Sequence, residues 1–182
     1  MKLDVQSTRI GVADDFFNEE DHQRLLNYCY DADYSWGETD DDDDESDAAP
    51  TGMVHNIPET SEIYALLKSK ILKTLPRYSK QNIYRMYINC FAPNEYPLFH
   101  TDVDEFPVPV ATTFLYYPQE NWELNDGGET QFYIDGNIRG IVPKSNRMIM
   151  FDSRLKHRAT SFRNRHRFTI AIKFTIPELK FY

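Results

Sequence analysis

At 182 residues, with 41% hydrophobic and 14% aromatic side chains, the chain is long enough to bury one substantial core without covalent staples. Its two cysteines, Cys29 and Cys90, offer neither a disulfide framework nor a CxxC metal knuckle, the stretch MKLDVQSTRIG lacks an apolar h-region, and no apolar run approaches membrane-spanning length. The formal charge of -9 is local: Glu38, Asp40 to Asp44, Glu45 and Asp47 carry most of it, whereas Ile138 to Lys173 holds ten Lys or Arg against Asp152 alone. A single domain over 1–182 is expected, soluble, reduced and cytoplasmic, with no membrane partner.

In chain order, Asn18 followed by Glu19, Glu20 and Asp21 reads as a helix N-cap with acids in the first turn, and Leu25, Leu26 and Cys29 supply its apolar stripe over about 19–30. The acidic stretch at about 37–52 is low in complexity and is expected to be a flexible loop, either a solubilising insertion or a lid over the basic C-terminal part. Ile63, Leu66, Leu67, Ile71 and Leu75 then recur at helical spacing until Pro76 stops the pattern. Beyond Pro76 the character changes to short β-branched or aromatic segments near 82–90, 96–100, 110–117, 129–134, 137–142, 147–151 and 167–176. Two helices followed by these strands predict an α+β fold in which the helices buttress one face of a jelly roll.

The last segment, RFTIAIKF, has two different faces. Phe168, Ile170, Ile172 and Phe174 share one side, and Arg167, Thr169, Ala171 and Lys173 share the other. A sandwich core would not be lined by small residues between two cations, whereas a cavity that holds an anion would be.

Chemistry gathers around HTD, His100 to Asp102. On extended backbone these two side chains point the same way, either as a hydrogen-bonded pair or as two ligands of a metal ion. His157, just past the apolar strand Met148 to Phe151, is the candidate third ligand. Two imidazoles and a carboxylate suit non-haem Fe(II), with Zn²⁺ as the competitor.

His100-Thr101-Asp102, the strand ending in Tyr116-Tyr117, Trp122, GGETQFY, MIMFDSRLKHR and Arg167 to Ile170 occur in one order over roughly 80–176. That series resembles the prolyl 4-hydroxylase-type 2-oxoglutarate/Fe(II) dioxygenases. The resemblance implies a double-stranded β-helix with Fe(II) on His100, Asp102 and His157, and with 2-oxoglutarate and O₂ as co-reactants. It further implies Arg167 on the far carboxylate of 2-oxoglutarate, Tyr117 as a phenol bonded to the same carboxylate, and Thr130 as a pocket-lining residue. Ascorbate as reductant and a prolyl residue of a peptide or protein as substrate follow from the same source. Two alternatives stay open: oxygenation of a nucleic-acid base or other anionic substrate, and a cupin-type binding module without catalysis.

Phe91 and Asn94 stand where the family often has Tyr and, three residues on, Gly; Asn146 stands where a turn glycine is common. Asn tolerates positive φ, which lets such turns survive. His22, on the first helix, and His55, in a loop, are expected to serve packing or solvent, and His166 to be half-buried on the apolar face beside Phe168. Trp122 and Tyr116 are expected in the core or rim. Arg165 rivals Arg167, and Asp104 rivals Asp102 but sits past the metal. Lys173, with Arg154, Lys156, Arg158 and Arg163, suggests an anionic partner.

Overall fold

The computed structural model describes residues 10–36, 52–95, 97–102 and 110–175. The acidic segment and Asp104 lie outside them, so the lid and the rival carboxylate are not addressed by the fold.

Both helices form where capping and periodicity place them. In α1 (Glu19–Asp31) the Asn18 side chain accepts the Asp21 N–H, and in α2 (Glu62–Thr74) the Ser61 hydroxyl accepts that of Tyr64. Each cap satisfies one of the backbone donors a helix start leaves without an intrahelical partner. Pro76 ends α2 as expected and opens a short 3₁₀ turn.

Ten strands are formed by the described residues: β1 (Ile10–Ala13), β2 (Ser35–Trp36), β3 (Met53–Asn56), β4 (Asn82–Phe91), β5 (Val110–Tyr117), β6 (Thr130–Ile134), β7 (Asn137–Ile141), β8 (Arg147–Asp152), β9 (His157–Ala159) and β10 (Arg167–Thr175). The larger sheet runs β1-β8-β5-β10-β4-β3-β2 and the smaller β7-β6-β9; these neighbours pair antiparallel. Residues 97–100, expected as strand, make only an isolated bridge at His100. Pro97 explains part of this, because proline cannot donate to a ladder. His55 belongs to β3 rather than to a loop.

The large sheet separates two apolar clusters by residue parity. Met86, Ile88, Phe114, Tyr116, Met148, Ile170 and Ile172 face the helices with Leu25, Leu67 and Ile71. Their neighbours Tyr87, Leu115, Tyr117, Ile149, Phe151 and Ala171 face inward, toward Phe132 and Ile134 of the small sheet. This is the alternation that a two-sided sheet requires. Helices on one face and a second sheet on the other make the α+β, double-stranded β-helix arrangement.

Asn146 fastens the helical layer to the sheet. At φ 55° it turns the chain into β8. Its side chain accepts from Phe17 N–H and from the Tyr116 hydroxyl, and donates to the Phe17 carbonyl. A glycine would make the turn and none of these bonds. His22 is buried in the same network, 2.6 Å from the Tyr116 hydroxyl and 3.0 Å from that of Ser145, which agrees with a packing role. His166 departs from expectation: it precedes β10 and is exposed.

Candidate metal centre and its anion cluster

His100 and His157 are brought together by backbone. Each N–H donates to the other's carbonyl at 2.9 Å, which sets the two rings 4.6 Å apart between centroids. The Nδ1–H groups point away, toward carbonyls two residues upstream, at 3.1 Å from Leu98 for His100 and 2.9 Å from Leu155 for His157. That bond leaves Nε2 with the lone pair and fixes its direction.

Asp102 completes the set. Its N–H donates to the Ser153 carbonyl at 2.8 Å, anchoring the chain end that carries it. Its Oδ2 is 3.6 Å from His157 Nε2 and its Oδ1 is 4.0 Å from His100 Nε2. One donor atom from each of the three residues lies within 4.8 Å of the others. Thr113 Oγ1 donates to Asp102 Oδ2 at 2.5 Å and is itself 3.0 Å from Ser153 Oγ.

The electrostatics suit a cation. Burial pushes the His157 imidazole down to about 4, so near pH 7 it is neutral and available as a ligand. Burial alone would raise Asp102, but the His157 imidazole, the Lys173 ammonium and His100 together hold its carboxyl below the ordinary range. Two imidazole nitrogens and an ionised carboxylate, each oriented by a second bond, fit a divalent transition metal.

A second cluster lies on the same inner face. Arg167 is 1% exposed, and it donates through Nε to the Gly128 carbonyl at 2.7 Å and through Nη2 to Thr130 Oγ1 at 2.9 Å. The Tyr117 hydroxyl donates to the same Thr130 oxygen at 2.7 Å, and the guanidinium lies 5.6 Å from the centre of the Tyr117 ring. Desolvation raises the Tyr117 phenol, so it remains a donor. Gly128 is needed here: its φ is +82°, and a Cβ would stand 2.3 Å from the Phe162 ring. The three residues expected to share one anion therefore meet.

Arg165 has different partners. It leans outward to the Asp126 carboxylate and the carbonyls of Glu120 and Asn121. Phe91, which has no hydroxyl, pairs with Arg167 across β4 and β10, while Asn94 keeps a turn with φ 67°. Trp122 donates to the Gly127 carbonyl and Tyr116 is core, as expected for rim and core residues. Sequence reasoning missed Thr113 and Ser153, whose hydroxyls carry no motif and act only through folding.

Residues 86–174 match the family model of the 2OG-Fe(II) oxygenase superfamily, the segment that carries all of these side chains. No curated protein sequence matches the chain significantly. Solved structures do: a prolyl-4-hydroxylase of Pseudomonas putida superposes with TM-score 0.69 at 16% identity, covering 92% of each chain. A Trichoplax adhaerens prolyl hydroxylase, in complex with a hypoxia inducible factor peptide fragment, gives 0.71 at 17% identity over 91% of this chain and 83% of that one. The viral collagen prolyl hydroxylase of Paramecium Bursaria Chlorella virus-1, in its 2OG complex, gives 0.67 at 16% identity over 94% and 98%.

Proposed function

We propose that this chain, a prolyl 4-hydroxylase-like 2OG-Fe(II) oxygenase, hydroxylates a prolyl residue of a peptide or protein. The observation that carries the reading is a three-donor His-Asp-His set on the same inner face as a buried Arg167-Thr130-Tyr117 cluster. His100, Asp102 and His157 would hold Fe(II), the family's metal. When bound together, Fe(II), 2-oxoglutarate and O₂ supply oxidative decarboxylation coupled to insertion of oxygen into a C–H bond.

The protein's own contribution is orientation and charge. The Leu98 and Leu155 carbonyls fix the imidazole tautomers, and Thr113 holds the carboxylate. Arg167, with its guanidinium fork, is the group suited to grip a carboxylate in a buried setting, where a charge-assisted bidentate contact is strong and directional. Thr130 and Tyr117 orient that fork and add hydroxyl donors to the same anion. Phe132 and Phe151 pack on His157, with ring centroids 5.9 and 4.6 Å away, and exclude water from one side of the centre.

A peptide substrate is supported by the Trichoplax relative, whose complex contains one. The alternative of a nucleic acid draws less support, because three of the cations near His157 are engaged: Arg154 with Asp152, Arg158 with Gln131, Arg165 with Asp126. Ascorbate is included as an expected reductant, and the cytoplasm as the expected compartment.

The test is anaerobic titration of the metal-free protein with Fe(II) and 2-oxoglutarate, followed by O₂ and candidate peptides. A weak visible charge-transfer band that needs both ligands is expected, then succinate formation stimulated by proline peptides and not by oligonucleotides. Stimulation by oligonucleotides alone would transfer the substrate assignment to the other class.

A further inference from the structure

The inner face of β10 carries a second cation that the Arg167 cluster does not use. Lys173 lies six residues past Arg167, in register with Thr113 of β5 and Arg85 of β4. Its Nζ is 2.8 Å from Asp102 Oδ1, and only 12% of its side chain is exposed. It sits 5.3 Å from the centre of the Tyr87 ring, which Arg85 also approaches at 4.1 Å. Asp102 is thus gripped at both oxygens, by a hydroxyl on Oδ2 and by an ammonium on Oδ1.

This contact has opposite consequences for the two ligands of the site. Lys173 and Asp102 cancel each other's charge, so a divalent cation entering this buried site meets no net attraction from the pair. A dianion that follows the metal gains from every positive charge left there. We infer that Lys173 is a positioning residue that couples the two binding events, disfavouring the metal alone and favouring it together with an anionic co-ligand. The inference rests on the metal-site reading above. Because the ammonium repels a metal cation and attracts an anion, its removal should shift the two affinities in opposite directions.

Lys173→Met keeps the length of the side chain and removes its charge. In the full chain, anaerobic Mn(II) titration without 2-oxoglutarate, read by the electron spin resonance of free Mn(II), should show a Kd at least about tenfold lower than wild type, since unit charges a few Å apart interact by more than that even at an effective dielectric near 20. The Kd of 2-oxoglutarate at saturating Mn(II), read by calorimetry, should rise by a similar factor, and Lys173→Arg should restore both. A merely structural lysine would weaken both ligands on removal, and that result, or an unchanged Mn(II) affinity, overturns the inference. Wild type that takes up no Mn(II), or Asp102→Ala that binds as well as wild type, would instead remove the metal site itself. If Lys173→Met loses the wild-type thermal transition, Lys173→Gln provides the same charge loss, with the same expected signs.

Discussion

The two faces of β10 are almost equally buried and chemically opposite. Phe168, Ile170, Ile172 and Phe174 are at most 6% exposed against the helices; Arg167, Thr169 and Ala171 are at most 2% exposed on the inside. On the helix side burial is satisfied by apolar packing alone. On the inside it is satisfied residue by residue, with Arg167 on Gly128 and Thr130 and with Lys173 on Asp102. Burial of a polar group without such partners is costly, so a strand face that keeps two cations must have been built around specific anions or acceptors. Solvent exposure alone would not separate core from site here; the chemistry of the alternation does.

The sharpest separation of the faces is expected from His157→Ala on the inside. It should leave no metal-dependent succinate formation above the protein-free rate, with the fold retained by circular dichroism. Next, Ile170→Ala and Arg167→Met should divide cleanly. Ile170→Ala should cost about 2–5 kcal/mol in urea unfolding with KM for 2-oxoglutarate unchanged. Arg167→Met should raise that KM by about 10- to 100-fold, as loss of a charge-assisted contact implies. A large KM effect from Ile170→Ala would erase the distinction between the faces.

A smaller effect is expected one step from the ligands. Thr113→Val removes the hydroxyl bond to Asp102 and should weaken metal binding by about tenfold, measured by Mn(II) titration. The pH dependence of the metal-free protein reports the same inner face. Since burial holds His157 at about 4, the unfolded chain takes up its proton first as pH falls. His157 therefore contributes stability that is present above about 6.5 and is lost as pH drops toward 4; urea midpoints across that window check it, and His157→Phe should flatten the profile.

The smallest effect belongs to neither face. Asp14, at the sheet edge, is held down to about 2 chiefly by its hydrogen bond to Arg147, with Lys144 assisting. Asp14→Asn should cost less than about 1 kcal/mol and leave ligand binding untouched, because an exposed ion pair is weak.

Much of this architecture could be read from the chain. Asn18 and Ser61 announce their helices because a cap is a local device, and Pro76 ends the second one for the same reason. The period-2 pattern of residues 167–175 told the two faces apart before any packing was known. What failed was short or depended on partners. β1, β3 and β9 have three or four residues each, too few to show a period, and exist because β8, β4 and β6 pair with them. His166 keeps the parity of the apolar face, yet lies before the strand begins and so remains outside.

By itself, the sequence determined which groups were available: an imidazole and a carboxylate two apart, a second imidazole 55 residues after Asp102, and cations at both ends of one strand face. Those are local properties, set by residue type and by the alternation of extended backbone. Only the tertiary structure decided which of them meet. The mutual backbone bonds of His100 and His157, the bonds of Arg167 to Gly128 and Thr130, and the grip of Lys173 on Asp102 all join residues far apart in the chain. Contacts of that kind arise from sheet register and layer packing, to which no single segment of the sequence refers.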